Sequence, residues 1–271
     1  MPHTTPLLIL LLALLPTLPA AAAAKPIPAF NTYEAAPFLI AGEQGLVPEL
    51  VDQLNRLLVG HYRLQLRNLP RARLLQQHLR EPAQFDGVVM LLSPGFVGDA
   101  QQREYLWSKP LFQDHNVLVM RAEQAPAEAD RAWLQGKRLL AVRGQRLRLL
   151  DELVKNGQLQ REDFNSELQT LQMVAAGRGD LTFMNQLMYR HLSRKPGLGE
   201  RLAALPVPGG EAGFTRHILV GKHAGELLEP LNAAIDALHC QPEWRTTAAR
   251  YGFAALPCPA ASELSRAPAR P

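Results

Sequence analysis

Apolar and polar residues alternate along the chain in blocks that predict helices and strands in turn. Between residues 47 and 58 the apolar positions recur every three or four residues, which is typical of an amphipathic helix, and Gly60 ends the pattern. The stretch HYRLQLRN (61–68) alternates with period two, as expected for a half-buried strand. RARLLQQHLR (71–80) returns to helical spacing, and DGVVML (86–91) is a continuous apolar run of the kind buried in parallel sheets. This order predicts a βαβ unit.

The same alternation continues through the middle of the chain. Short apolar runs predict three further strands, at 137–144, 181–185 and 201–210. Helical spacing predicts helices at 145–157, 166–180 and 186–197, and two closing helices from 227 and from 243. Two extended runs, HNVLVMRA (115–122) and TRHILVGK (215–222), flank the middle block, and we expect each to cross between two lobes. The fold class predicted is therefore α/β with mainly parallel sheets.

The first 24 residues have the pattern of a secretory signal peptide. The apolar run Leu7–Leu15 is about half of the roughly 20 residues that a membrane-spanning helix needs, and the alanine run after it contains cleavage sites near Ala23 and Ala24. Because no Lys or Arg precedes Lys25, an uncleaved anchor stays open as the alternative. We expect the mature protein in the periplasm, and a disordered tail rich in Pro, Ala and Ser at 259–271.

Charge and cysteine content narrow the function further. The net charge of +4 is mild, and basic and acidic residues are mixed along the chain, which argues against a nucleic-acid partner. In an exported protein Cys240 and Cys258 are expected to form a disulfide, contributing about 3 kcal/mol in the chain-entropy treatment. Two buried thiols are the alternative. Two cysteines without a nearby histidine pair do not predict a metal site.

Several stretches in this order resemble the extracellular solute-binding protein family 3, the polar-amino-acid type of bacterial periplasmic binding protein. The similar stretches are YEAAPFLIAGEQGLVPELVDQL (33–54), FDGVVM (85–90), REYLWSKPLF (103–112), WLQGKRLLAVRGQRL (133–147), LQMVAAGRGDLTFMN (171–185), LLEPLNAAIDAL (227–238) and EWRTTAARYGF (243–253). The resemblance implies a periplasmic binding protein type 2 fold, in which two lobes are joined by two hinge strands and hold the ligand between them. Lobe 1 would comprise 25–118 and 219–258, and lobe 2 would comprise 119–218.

For function, the resemblance implies a monomeric, non-enzymatic protein without a cofactor. It would capture a small polar solute, an amino acid or another small carboxylate, and deliver it to an ABC transporter permease. A sensory module that reports to a separate signalling membrane partner is the alternative. A cleft dehydratase of the same fold is a further one, and Asp114, His115 and Glu167 are its only candidate acids or bases.

In lobe 1 the resemblance assigns a carboxylate clamp to Arg103, since a guanidinium bonds a carboxylate through two parallel hydrogen bonds. The turn before Arg103 is longer than the family form and has no threonine, so a surface arginine is the alternative. Ser93 would bond the same carboxylate or serve the turn before Pro94. Tyr33 and Phe38 would form an aromatic wall over the ligand or pack in the core.

A weaker lobe 1 candidate is Arg73, in LPRAR (69–73), which resembles an arginine that follows a tryptophan in many relatives. The tryptophan is absent here, so Arg73 either faces the cleft or caps the lobe.

In lobe 2 the strand at 137–144 passes into a helix through Arg143, Gly144 and Gln145, where free backbone N–H groups favour an anion. The alternative for Arg143 is a solvated helix face. Asn185 stands where amino-acid-binding members have an aspartate that pairs with the ligand's ammonium. An amide cannot supply that charge, so an α-amino acid ligand would need Glu167 or Asp114 in its place.

Overall fold

The computed structural model describes residues 24–208 and 213–260. The signal peptide expected at 1–24 lies outside the described residues except for residue 24. The tail expected to be disordered lies outside them from residue 261 onward. In the described part of the chain, no helix combines the length and the apolar character that crossing a membrane requires.

Two β-sheets organise the described chain. The first contains β1 (Lys25–Asn31), β2 (Tyr62–Asn68), β3 (Val88–Leu92), β4 (Leu106–Trp107), β5 (Phe112–Asp114) and β11 (Phe214–Val220). The second contains β6 (Asn116–Arg121), β7 (Arg138–Val142), β8 (Gln160–Phe164), β9 (Leu181–Asn185) and β10 (Leu202–Pro206). The first sheet has the order β2-β1-β3-β11-β4, with β5 beside β11, and the second has the order β10-β6-β9-β7-β8. The mixed α/β class predicted from the sequence is confirmed.

Strand direction gives each sheet a parallel part and an antiparallel part. In the first sheet β1 runs parallel to β2 and β3, whereas β11 runs antiparallel to β3 and β4. In the second sheet β7 runs parallel to β8 and β9, whereas β6 runs antiparallel to β9 and β10. The parallel strands end at one edge of each sheet, which is where open α/β sheets carry their binding sites.

Eight α-helices connect the strands of the described chain. They are α1 (Leu46–Leu57), α2 (Arg71–Gln77), α3 (Arg131–Leu134), α4 (Arg148–Lys155), α5 (Glu167–Ala175), α6 (Gln186–Leu192), α7 (Leu228–Cys240) and α8 (Pro242–Tyr251). The helix expected at 47–58 is α1, whose apolar face is buried. The two closing helices are α7 and α8, with a 3-10 turn at Lys222–Leu227 before α7.

The chain passes between the sheets at two places. Only His115 separates β5 from β6, and residues 207–213 separate β10 from β11. The sequence predicts that lobe 2 extends from 119 to 218. The structure places all of β6 in the second sheet, where it pairs with β9, and all of β11 in the first, where its first half pairs with β5 and its second half with β3. Each crossing therefore lies a few residues before the expected boundary.

The C-terminal segment packs on the first sheet. Phe253 stacks on Phe112 with ring centroids 4.2 Å apart, and Ala255 forms a β-bridge with Phe112. Cys240 at the end of α7 is bonded to Cys258, so the predicted disulfide is present. It closes the loop that carries α8 against the rest of the first lobe.

The largest apolar cluster of buried residues extends across both sheets. It contains Leu50 and Val88 from the first lobe together with Val117 and Leu171 from the second. A smaller cluster, which includes Leu139, lies within the second lobe alone.

Candidate functional site

The carboxyl-terminal edges of the two sheets meet beside the crossings. At the end of β3, Leu92 lies opposite His217, in the middle of β11. At the end of β9, Asn185 lies opposite Asn116, the first residue of β6. The ends of the parallel strands from both lobes therefore converge on the crossings, and the cleft between them is the candidate site.

Arg216 lies at the centre of the first-lobe edge, where it is only 1% exposed. Its Nε and Nη2 atoms lie 2.9 and 2.8 Å from Oδ2 of Asp114. Nη1 donates to the carbonyl of Leu91 at 2.8 Å and to the hydroxyl of Tyr33. Four aromatic rings surround the guanidinium, with centroids 4.7 to 5.6 Å from Cζ: Tyr33, Phe38, Phe96 and Phe214. The protein thus buries this charge with a carboxylate partner and satisfied donors.

Asp114 and Asn185 extend this contact into the second lobe. The amide nitrogen of Asn185 donates to Oδ2 of Asp114 at 2.6 Å and to the carbonyl of His115 at 3.3 Å. Its amide oxygen accepts from the backbone N–H of Leu187 at 2.9 Å, so Asn185 is the N-cap of α6. Asn185 is 8% exposed, and the predicted ligand contact competes with these protein partners.

The loop after β1 places Tyr33 at the cleft and Phe38 behind it. The amide of Asn31 bonds both the backbone N–H and the carbonyl of Tyr33, which fixes the loop. Tyr33 is half-buried and stacks on Phe38 at 4.5 Å between ring centroids. Phe38 is 0% exposed. The expected aromatic wall is therefore corrected to Tyr33 alone, because Phe38 packs in the core.

Ser93 directly follows β3 at the cleft edge and is 9% exposed. Its carbonyl accepts from the backbone N–H of Phe96 at 2.9 Å and starts a 3-10 turn, Pro94–Val97. Within the described residues its hydroxyl has no hydrogen-bond partner. Ser93 therefore serves the turn through its backbone, and its side-chain hydroxyl remains without a partner in the described part of the chain.

The structure does not bring Arg103 to the cleft. The carbonyl of Arg103 accepts from Nζ of Lys222 at 3.0 Å, and Lys222 follows the end of β11, where Val220 pairs with Val88. Val88 is the first residue of β3, so Arg103 lies beside the sheet edge opposite the cleft. The long turn carries the chain back across the sheet before Arg103 is reached. The predicted clamp is corrected to an exposed arginine on the return to β4.

The segment that leads from Arg103 into β4 is held in place by hydrogen bonds to Asp99, which is 3% exposed. Its carboxylate accepts from the backbone N–H groups of Arg103, Glu104 and Tyr105 and from the Trp107 indole. Burial opposes ionisation of Asp99, but these four hydrogen bonds outweigh it and lower the pKa of the carboxyl. The buried carboxylate of Asp99 therefore fixes the path of the chain between Arg103 and Trp107.

Arg73, the weaker candidate, lies in the first turn of α2 and is exposed. Its side chain has no partner among the described residues. The neighbouring Arg71 donates to the carbonyl of Phe96 and lies 6.0 Å from its ring centroid. The start of α2 follows β2 at the cleft edge, so Arg73 is left available there.

In the second lobe, Arg143, Gly144 and Gln145 form a turn, and α4 begins later than expected, at Arg148. Gly144 has a φ of +80°, in the left-handed region that favours glycine. Its backbone N–H has no partner in the part of the chain that the structure describes. Arg161 supports the turn from β8 by donating to the carbonyl of Gln145 at 2.9 Å. Arg143 is exposed at the sheet edge.

Glu167, the first residue of α5, lies behind this turn and accepts from the amide of Gln145 at 3.0 Å. Burial raises the pKa of Glu167, and the negative charge of Glu34 raises it further, while hydrogen bonds, including that from Gln145, act in the opposite direction. Glu34 belongs to the loop after β1 in the first lobe.

Two residues of this edge were missed by reasoning from the sequence. Arg216 lies in a run that we interpreted only as an extended crossing segment, and Glu34 lies within the YEAAPF motif. The signal that the sequence offered for Arg216 was its position, since a charged residue there lies only two residues before the apolar run ILV (218–220). Among the described residues, no group of three or more His, Cys, Asp or Glu side chains is arranged to hold a metal ion.

No protein-family model matches the sequence, and no curated protein matches it either. Among solved structures, the fold is similar to one from work on glutathione import in Gram-positive bacteria through GshT and the cystine ABC importer TcyBC of Streptococcus mutans. That comparison has a TM-score of 0.69 and 14% identity over 87% of this chain and 98% of the other.

Two further solved structures are similar. One is the Salmonella typhimurium periplasmic binding protein STM4351, known for high arginine specificity, with a TM-score of 0.59 and 17% identity over 84% of this chain and 99% of that one. The other is a histidine kinase sensor domain with similarity to periplasmic binding proteins, with a TM-score of 0.64 and 15% identity over 86% and 99%. The chain has the two-lobed α/β fold of periplasmic binding proteins.

Proposed function

We propose that the protein is a non-enzymatic solute-binding protein that holds a small polar solute in the cleft between its lobes. The observation that carries the proposal is the meeting of two parallel-strand edges at a double crossing. Each edge presents polar groups that have no protein partner in the described chain: the Ser93 hydroxyl from the first lobe and the Gly144 backbone N–H from the second. A solute that contacts both lobes would stabilise their closed arrangement.

The solute that we propose carries a carboxylate. Arg73 and Arg143 are exposed at the cleft edges of the first and second lobe respectively, and a guanidinium pairs with a carboxylate through two parallel bonds. The Gly144 N–H adds a donor beside Arg143. This set replaces Arg103 as the proposed carboxylate site, together with Ser93 and Tyr33 from the first lobe.

An amino group on the same solute would pair with the carboxylate of Glu167. Two acids were candidates to replace the aspartate that Asn185 lacks. Asp114 is bonded to Arg216 and Asn185, whereas among the described residues Glu167 has only Gln145 as a side-chain partner. An amino acid or a short peptide therefore fits the cleft as well as a simple organic acid does.

We further propose that the protein acts as a monomer in the periplasm and delivers its solute to an ABC permease. The similarity to a histidine kinase sensor domain supports a second candidate, a sensory module for a separate signalling partner. Solute-dependent co-purification with a permease or with a sensor kinase distinguishes the two.

Isothermal titration and thermal-shift measurements against amino acids, organic acids and short peptides test the binding proposal. We expect at least one carboxylate to raise the melting temperature. We expect Arg143→Ala to weaken its binding, and Glu167→Gln to weaken binding only for solutes that also carry an amine. Arg103→Ala is the matched control, since it removes an exposed first-lobe arginine away from the cleft and should leave the affinity unchanged. No response to any carboxylate, or an equal loss in Arg103→Ala, would contradict the assignment.

A further inference from the structure

Helix α6 begins beside the first crossing and is tied to the first lobe at both of its ends. At its start, Asn185 bonds Asp114 of β5 at 2.6 Å. In its last turn, Arg190 donates from Nη1 to the carbonyl of Gly252, which follows α8. The residue after Gly252 is Phe253, which stacks on Phe112 of β5 in the first sheet. A single second-lobe helix thus contacts two separate parts of the first lobe.

The contact at the start of α6 spans the crossing itself. Only His115 lies between β5 and β6, and its carbonyl accepts from the backbone N–H of Gln186 at 2.9 Å and from the Asn185 amide at 3.3 Å. A change in the angle between the lobes that moves the start of α6 away from the end of β5 would break the bond between Asp114 and Asn185.

The bond is also costly to break, because both side chains are buried and Asp114 is in addition paired with Arg216. Asp114 is 3% exposed and Asn185 is 8% exposed, and the Asp114 carboxylate is already committed to Arg216. An acceptor that loses a donor inside a protein does not recover it from water, so the broken state is penalised.

We infer that Asp114, Asn185 and Arg190 form an interlobe clamp, which holds the angle between the lobes in the absence of any solute. The lobes are then already oriented before a solute binds, so that less of the binding free energy is used to move them. This inference concerns the contacts at the two ends of α6 and holds whether or not the proposed solute-binding function is correct.

The clamp is tested by measuring the distance between the lobes in the purified chain without added solute. Spin labels are attached at Asp52→Cys on α1 and Lys155→Cys on α4, two exposed positions without partners among the described residues. The native cysteines are bonded to each other and leave only these thiols for labelling. Pulsed electron–electron double resonance should give one narrow distribution of the distance between the two labels.

Two changes should broaden that distribution or add a second population. Asn185→Asp keeps an oxygen to cap α6 but places a second carboxylate against Asp114, and Arg190→Ala removes the exposed end of the clamp. The double variant should show the largest shift. Asn55→Ser is the control, because Asn55 also bonds backbone groups, those of Leu64, but entirely within the first lobe.

Circular dichroism confirms that each labelled variant is folded. If Asn185→Asp does not fold, Arg190→Ala still decides the question, because Arg190 is exposed. A broad distribution in the unsubstituted chain overturns the inference, as does an unchanged distribution in the folded clamp variants.

Discussion

The polar groups at the cleft edges of the two lobes differ in burial and in hydrogen bonding. In the first lobe, Arg216 is buried and its guanidinium is bonded to a carboxylate, a hydroxyl and a carbonyl. In the second lobe, Arg143 is exposed and the backbone N–H of Gly144 has no partner within the described chain. The polar groups of the first edge are therefore mostly paired within the protein, whereas those of the second edge are left without protein partners. Two arginines that look alike in the sequence thus differ in burial and in pairing.

The comparison predicts its largest effect for Arg216. Arg216→Met leaves Asp114 buried without its cation, and breaking a buried pair in this way typically costs about 3 to 5 kcal/mol. We expect a loss of that order in the free energy of unfolding, measured by urea denaturation. Arg143→Met should change stability by less than about 0.5 kcal/mol, since it is a surface substitution. Similar losses in both variants would remove the distinction between the edges.

The disulfide is the next largest contribution, and it also belongs to the first lobe. The bond joins cysteines 18 residues apart, and closing a loop of this size contributes about 3 kcal/mol in the chain-entropy treatment. We expect the variant with both cysteines changed to serine to lose stability of that order in urea. Its cleft should be unaffected, so a solute that binds the parent chain should bind the variant with the same affinity. A stability equal to that of the parent chain would show that the bond contributes nothing.

Asp99 should give a smaller effect that depends on pH. Asp99→Asn exchanges charge-assisted hydrogen bonds for neutral ones, and we expect a loss of about 1.5 to 3 kcal/mol at pH 7. Because the folded-state pKa of Asp99 is lowered from 3.8, its contribution is present above that pH. It is lost as the pH falls through the folded-state pKa. Denaturation curves from pH 7 downward should therefore converge for the parent and the variant, and a gap that stays constant would contradict this account.

The smallest effect, of opposite sign, is expected in the second lobe. The pKa of Glu167 is raised from 4.5, so its ionised form costs stability above the folded-state pKa. Glu167→Gln should gain about 0.5 kcal/mol at neutral pH, and the gain should vanish as the pH falls through the folded-state pKa to 4.5. Thermal melts across this range measure it. A loss of stability at neutral pH would mean that the charge of Glu167 supports the fold.

Most strands and helices could be predicted from the sequence because their apolar periodicity is strong, but four strands, β1, β4, β5 and β8, could not. β4 and β5 contain only two and three residues, which is too short for a periodic pattern. β1 contains Pro26 and Pro28, which usually exclude a central strand, but β3 pairs with β1 only at Ala29 and Phe30. The prolines therefore precede the part of β1 that has neighbours on both sides. β8 is an edge strand of mostly charged residues, so no apolar alternation marks it.

The candidate site was harder to predict than the fold. Arg103 was assigned from its place in a motif, but the length of the turn between Ser93 and β4 decides which sheet edge it reaches. That path depends on Asp99, whose four partners are set only by folding. Asn185 was located at the correct strand end, but its partner Asp114 is 71 residues away in the chain. Spacing in the sequence does not show such pairings.

The apolar cluster that extends across both sheets has a consequence for how the protein comes apart. Two lobes with separate interiors would melt in two calorimetric steps, each with its own enthalpy. Here Leu50 of the first lobe and Leu171 of the second belong to the same continuous interior. Heat should therefore disrupt both lobes in a single cooperative event, and a fragment containing only the second lobe would expose apolar surface and aggregate.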